Sequence, residues 1–205
     1  MNILVVAATQ AEIKPSIAFL KEQDIPFLIS GVGMLATVYT LTKSLQAIKP
    51  DLIVQVGIGG ILDSDDKLGA VYQIVEDEIF AFGAEDRERF LPIAELGFGE
   101  GHFRQQLPPM PFNIPAIPQR RGITVNKVHG SAESIEQLRQ RYREPVVESM
   151  EGAAAFFVAA QENIPVVQFR ATSNYIEPRN RDAWQIGPAI QNLNVYLQEL
   201  LNYLL

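Results

Sequence analysis

Apolar and polar positions along the chain alternate between two rhythms. Residues 3–8 (ILVVAA), 52–56 (LIVQV) and 165–172 (PVVQFRAT) are near-continuous apolar runs. Runs of that length suit strands buried on both faces. Between them, apolar residues recur at helical spacing over about 12–21, 34–47, 134–143, 152–163 and 182–203. Shorter runs predict strands at 26–30, 70–80, 122–128 and 145–149. Alternating strands and helices predict an α/β fold, with a mostly parallel sheet covered on both faces. The long strand at 70–80, followed by an irregular segment, points to a mixed, partly curled sheet.

One stretch breaks both rhythms. Residues 83–121 are rich in Pro and Gly and include LPPMPFNIPAIPQ at 107–119. Proline lacks an N–H and forbids regular helix there. The segment is expected to be an irregular excursion, a lid or rim, within one domain spanning 1–205.

Composition narrows the function classes. The net charge is −7 over 205 residues, without a basic tail or Lys/Arg stripe. A nucleic-acid duplex is therefore not an expected partner, whereas a single nucleoside is compatible. The chain has no cysteine, which excludes disulfides and thiolate-bound metals and fits a reducing compartment. MNILVVAATQAE reads as a first strand rather than a signal peptide. No stretch approaches the roughly 20 apolar residues of a membrane helix. A cytoplasmic protein is expected.

In sheets of this kind ligands gather at the carboxyl ends of the strands. Glu12 follows strand 3–8, and Gly31 and Gly33 follow strand 26–30. Gly57, Ile58, Gly59 and Gly60 end the strand that begins at 52, Met150 and Glu151 follow 145–149, and Ser173 and Asn174 follow 165–172. GVGMLA (31–36) fits a dinucleotide fingerprint, but it lies in the second β-α unit and Asp51 begins the next strand. A tight turn with close helix packing is the simpler reading.

Each polar candidate has a structural and a chemical reading. Glu12 completes a capping box with Thr9, or acts as a general base holding a water. Glu151 favours the first turn of a helix, or accepts hydrogen bonds from two vicinal ribose hydroxyls. Met150 is core, or a soft apolar face for a sugar. Asn174 is a turn residue or a base reader. His102 and His129 are far apart and poorly accompanied by acids, so surface or loop roles are expected for both rather than a metal site.

VVESMEGAAAFFVA (146–159) together with VVQFRATSN (166–174) resembles the purine nucleoside phosphorylase and nucleosidase superfamily. AATQAE resembles the water-binding N-terminal loop of the methylthioadenosine/S-adenosylhomocysteine nucleosidases, and SGVGMLAT and VQVGIGGIL resemble their two Gly-rich segments. Within the superfamily, SNYIEPRNRDAW and the compact length are most similar to the futalosine hydrolases. The resemblance implies a three-layer α/β/α sandwich with a mixed, barrel-like sheet. It implies hydrolysis of futalosine to hypoxanthine and dehypoxanthine futalosine, a step of menaquinone biosynthesis, with no metal and no organic cofactor. It also implies a homodimer whose 5′-tail pocket borrows residues from the neighbour.

Carried over by position, Glu12 would activate water, and Met150 and Glu151 would hold the ribose. Ser173, Gly57 and Ile58 would border the substrate. Asn174 stands where adenine-specific nucleosidases have an Asp. An Asn amide offers a donor and an acceptor together, matching O6 and a protonated N7 of hypoxanthine. The family's stacking aromatic is replaced by Glu133, leaving Phe80, Phe82 and Trp184 as candidates. Arg104, Arg120, Arg121, Arg179 and Arg181 are candidates to meet a carboxylated tail. The alternatives are an adenine-type nucleosidase, a phosphorylase, or a catalytically silent nucleoside-binding protein.

Overall fold

The N-terminal apolar run forms β1 (Ile3–Ala7), every residue of which is buried. The structure, a computed structural model, describes residues 1–62, 65–109 and 113–205. β1 lies between two parallel neighbours, β2 (Phe27–Ile29) and β3 (Leu52–Ile61). The other edge of β3 carries β10 (Val166–Tyr175), parallel along nearly its whole length. β10 pairs antiparallel with β4 (Val71–Ile79), and β4 pairs parallel with β8 (Gln119–Thr124). β8 pairs parallel with β9 (Val146–Ser149), which returns antiparallel to Gly60 and Ile61 of β3. Five strands thus close into a ring, giving the mixed, barrel-like sheet that the resemblance implied. Closure satisfies strand edges that an open sheet would expose.

Alternation along β1 assigns its two faces. Ile3, Val5 and Ala7 join a cluster with Leu193, Leu197 and Leu200 of α6 (Ile186–Leu204). Leu4 and Val6 join another with Leu41 and Leu45 of α3 (Met34–Leu45) and Phe156 and Ala159 of α5 (Gly152–Glu162). Helices therefore cover both faces, as the continuous apolar runs require. The alanine-rich face of α5 lets that helix lie close to the strands.

Four elements differ from the sequence expectation, one being the strand expected at 122–128, which is β8 and ends at Thr124. The helix expected at 12–21 is split into α1 (Gln10–Ile13), a 3₁₀ turn (Lys14–Ser16) and α2 (Ile17–Glu22). Pro15 explains the break, because its ring and missing N–H disrupt the helical ladder. The stretch 83–121 holds regular structure: β5 (Gly83–Asp86) and β6 (Arg89–Pro92) form a hairpin, and β7 (His102–Arg104) pairs with β4. β10 runs on to Tyr175, with a register shift against β3 between Thr172 and Asn174. The remaining helix, α4 (Ala132–Arg141), starts at Ser131, whose hydroxyl oxygen accepts from the Ser134 amide at 3.2 Å.

Candidate active site

A cavity of about 310 Å³ opens where β1, β3, β9 and β10 converge. Glu12, Ile58, Met150, Glu151, Ser173 and Asn174 all line it. Gly57 lies beneath. A Cβ there would stand 2.3 Å from Arg170 Nη1 and 3.0 Å from Glu12 Oε1, so the missing side chain is what lets those two groups occupy the floor. Among the described residues, none from 83–121 lines the cavity, so the lid expected of that stretch is not seen over it.

Glu12 makes the capping contacts and also faces the cavity. Its Oε2 accepts from the Thr9 amide at 2.9 Å and the Thr9 hydroxyl at 2.8 Å, the bond back to the cap that the spacing predicts. Its Oε1 accepts from the Ile58 amide at 3.1 Å. The side chain is buried, and Oε1 keeps a lone pair for a further donor.

Glu151 stands at the N-cap position of α5, where its side chain makes no capping bond and is instead fixed from two other sides. Its Oε1 accepts from the Gly33 amide at 3.0 Å, and its Oε2 from Arg170 Nη1 at 3.4 Å. Gly33 has φ of 92°, a left-handed conformation that glycine adopts without strain. The first Gly-rich segment therefore aims an amide at a carboxylate, and the dinucleotide reading falls away. Each Glu151 oxygen retains one lone pair, the number two neighbouring hydroxyls need.

Arg170 was not anticipated. It sits mid-strand and is 1% exposed. Its Nε donates to Gln168 Oε1 at 2.9 Å, and Gln168 Nε2 donates to Asp77 Oδ2 at 3.1 Å. Asp77 also accepts from the Thr124 hydroxyl at 2.8 Å. Burial raises the Asp77 carboxyl to about 7, against the lowering effect of those hydrogen bonds and of Arg170. Arg170 Nη2 has no acceptor among the described residues. Gly152 makes the chain of contacts possible, since a Cβ there would fall 2.0 Å from Asp77 Oδ2 and 2.5 Å from Gln168 Oε1. The sequence signal was available: Gln168 and Arg170 are polar positions two apart inside the otherwise apolar run 166–171.

The register shift in β10 falls at Ser173, where a bulge re-aims side chains. Asn174 Nδ2 donates to the Tyr175 carbonyl at 3.0 Å, and its Oδ1 accepts from the Ser173 hydroxyl at 2.9 Å. A carbonyl only accepts, so Tyr175 fixes which end of the amide carries the hydrogens. One N–H and one lone pair of Asn174 remain.

His129 lies in the loop between β8 and α4, as expected, but its side chain is not at the surface. It lines the cavity with Glu148, and both side chains are buried. The Glu148 carboxylate accepts from the His129 amide at 3.1 and 3.3 Å and pairs with the ring Nδ1. Burial raises the Glu148 carboxyl above its ordinary value, opposed by the contacts with His129. Phe80 is not open to a ligand, because it packs edge-on against His129 at 4.8 Å. Trp184 lines the cavity; Phe80 and Phe82 do not. Of the five candidate arginines, only Arg179 lines it, its guanidinium 5.3 Å from the Trp184 ring. Arg104 and Arg121 pair with Glu76, and Arg120 with Asp66.

Among the described residues, no group of three or more His, Asp or Glu is arranged to hold a metal ion. No helix among them is long and apolar enough to cross a membrane.

Known proteins are similar to this chain in sequence and in fold. Residues 16–205 match the family model described as the phosphorylase superfamily. A futalosine hydrolase of Streptomyces coelicolor is 37% identical over 151 residues, covering 70% of this chain. The match spans only 62% of that relative's length. A solved futalosine hydrolase of Helicobacter pylori superposes with a TM-score of 0.80 at 13% identity, over 98% of this chain and 97% of that one. A 5′-methylthioadenosine/S-adenosylhomocysteine nucleosidase from the same organism, solved with butyl-thio-DADMe-Immucillin-A, superposes at 0.79 with 15% identity, over 98% and 97%. At such identities the superpositions speak for the fold alone. The family match, which reaches from the end of the 3₁₀ turn before α2 to the end of α6, is broad enough to decide membership: this chain belongs to the phosphorylase superfamily.

Proposed function

We propose that the protein hydrolyses the N-glycosidic bond of futalosine, releasing hypoxanthine and dehypoxanthine futalosine. The observation that carries this reading is the fixed amide of Asn174 in the same cavity as the carboxylates of Glu12 and Glu151. The named activity of the Streptomyces relative supports it.

Cleavage builds positive charge on the sugar and negative charge on the departing base. Glu151 takes the two ribose hydroxyls on its remaining lone pairs, with Met150 beside the sugar. Glu12 holds the attacking water on Oε1 and receives its proton. A buried water or substrate hydroxyl supplies the acceptor that Arg170 Nη2 lacks. Asn174 donates its spare N–H to O6, a contact that tightens as charge reaches the base; as the bond breaks N7 takes a proton from solvent, while Glu12 later returns the water proton to solvent, and the new N7–H then donates to the Asn174 oxygen. Carboxylates at Glu12, Glu148, Glu151 and Glu177 line the cavity, and this electrostatic surrounding favours a cationic transition state and disfavours an incoming phosphate. Arg179 beside Trp184 suits a carboxylated aromatic tail.

The same reading includes a cytoplasmic role in menaquinone biosynthesis and a homodimer. Leu35 and Tyr39 leave apolar surface exposed at the start of α3, next to Val32, which also lines the cavity. A second copy seated there would reach the substrate.

Product chromatography tests the reading. Protein given futalosine in phosphate-free buffer should release hypoxanthine. Release of adenine from methylthioadenosine alone would reassign it as an adenine-type nucleosidase. Release only with phosphate would make it a phosphorylase, and no release from either substrate would leave a binding protein.

A further inference from the structure

In the chemistry described so far His129 has no part, and Glu148 only a share in the charge around the cavity. His129 and Glu148 stand on the opposite side of Gly60 from Asn174. Gly60 pairs with Glu148 on one edge of β3 and with Asn174 on the other. Adjacent strands lie about 4.8 Å apart, so the two backbones flanking Gly60 are separated by roughly 10 Å. Gly60 itself has no side chain, and a Cβ there would come within 3.0 Å of Asn174 Nδ2. A flat ligand can therefore lie between Asn174 on one side and the His129–Glu148 pair on the other.

The pair is locked in one arrangement. Glu148 accepts from the His129 backbone amide and pairs with the ring Nδ1; in the tautomer with its proton on Nδ1, that N–H donates to the carboxylate. Phe80 supports the ring edge-on. Among the described residues nothing engages Nε2. In a neutral imidazole with its proton on Nδ1, Nε2 is a bare acceptor.

The two purine classes differ at the matching position. A 6-oxopurine carries a hydrogen on N1, adjacent to O6 and on the far side of O6 from N7. Adenine has a bare N1. If Asn174 engages N7 and O6, the next group along the base edge is N1, facing His129. We propose that His129, held by Glu148, is a second base-reading residue that accepts the N1–H of a 6-oxopurine. Adenine would meet it lone pair to lone pair. This extends the reading of the base by Asn174 and rests on it. Unpaired polar groups in a closed site are how enzymes reject close analogues.

The test compares His129→Phe with the unaltered protein on three substrates: futalosine, its adenine counterpart, and its N1-methyl-6-oxo counterpart. Phe keeps a ring of similar size and removes both nitrogens. In the unaltered protein futalosine should be preferred over both analogues. His129→Phe should lose about 100-fold in kcat/KM on futalosine and little on the analogues, so the selectivity collapses. An unchanged ratio of 6-oxo to 6-amino turnover in a folded variant overturns the proposal. If the variant does not fold, product binding decides the matter. The unaltered protein should bind hypoxanthine at least about 100-fold more tightly than 1-methylhypoxanthine, and equal binding refutes the N1–H contact. Failure of the unaltered protein to release hypoxanthine would remove the underlying function, a result distinct from hydrolysis that persists with selectivity independent of His129.

Discussion

Replacing Gly57 with Ala adds one methyl group where two functional groups meet. That carbon would stand 2.3 Å from Arg170 Nη1 and 3.0 Å from Glu12 Oε1, whereas ordinary contact begins at 3.4 Å. Arg170 has little room to give way, because it is 1% exposed and its Nε is tied to Gln168 at 2.9 Å. The guanidinium must shift by about 1 Å, which pulls Nη1 from a Glu151 contact already at 3.4 Å. Overpacking of this kind costs about 1–3 kcal/mol. At roughly 2–4 °C per kcal/mol for a chain of this size, Tm should fall by about 2–12 °C. Displacement of catalytic groups by about 1 Å costs on the order of 100-fold in rate, so kcat should fall by that factor. Thermal unfolding by circular dichroism and steady-state hydrolysis of futalosine measure the two effects. Gly187→Ala is the control, since a methyl there meets no atom within 4 Å and the site lies in α6. In a helix that exchange is neutral or stabilising by up to about 1 kcal/mol. A Gly57→Ala protein with unaltered Tm and kcat would refute the account of the cavity floor.

Four further outcomes are expected. Glu12→Gln should keep the bond to the Thr9 amide yet lower kcat by about 10²–10⁴ with KM little changed; weaker binding at full turnover would remove Glu12 as the base. Asp77 has a folded pKa raised to about 7, so the folded state holds a proton that the unfolded chain releases near 4. Its contribution is present below about pH 4 and is lost as pH rises to about 7, so stability should decline across that window and Asp77→Asn should flatten the decline, as read by Tm against pH. Arg179→Leu should reduce kcat/KM on futalosine by about 10–100-fold and leave a neutral-tailed nucleoside unaffected; equal losses on both would argue against tail recognition. Ser131→Ala should cost about 1 kcal/mol through loss of the α4 cap, visible as a modest fall in Tm, and an unchanged Tm would deny the cap its role.

The sequence disclosed the site where a residue's position along a strand was enough to place it. Glu12, Glu151 and Asn174 stand at the ends of legible apolar runs, and strand ends converge in an α/β sheet. Arg170 and His129 escaped because their meaning lies in partners distant along the chain. Arg170 meets Glu151 and His129 meets Glu148, each 19 positions away, and no local period encodes such a pairing. Along the sequence His129 reads as a surface or loop residue rather than a metal ligand, whereas its carboxylate partner lies inside a four-residue strand. The β5–β6 hairpin was hidden by its short strands and Gly/Pro surroundings, which favour irregular backbone on composition alone. The break in the first helix was readable from Pro15, and the apolar spacing around it hid the signal.

Closure of the strand ring also bears on how the protein comes to be folded. β10 completes the ring by fitting between β3 and β4, and it joins positions as distant as Ile58 and Arg170, 112 residues apart. Contacts of such long range form slowly, because the loop between them must be ordered before the pairing repays it. Until β10 docks, β3 and β4 each keep an open edge available to other chains. That same strand carries Arg170, Ser173 and Asn174, so the side of the cavity that Ser173 and Asn174 form cannot exist in a partly folded chain. Recovery of catalysis during refolding should therefore report the docking of β10 itself, and a chaperone that shields the open edges should raise the yield of active protein.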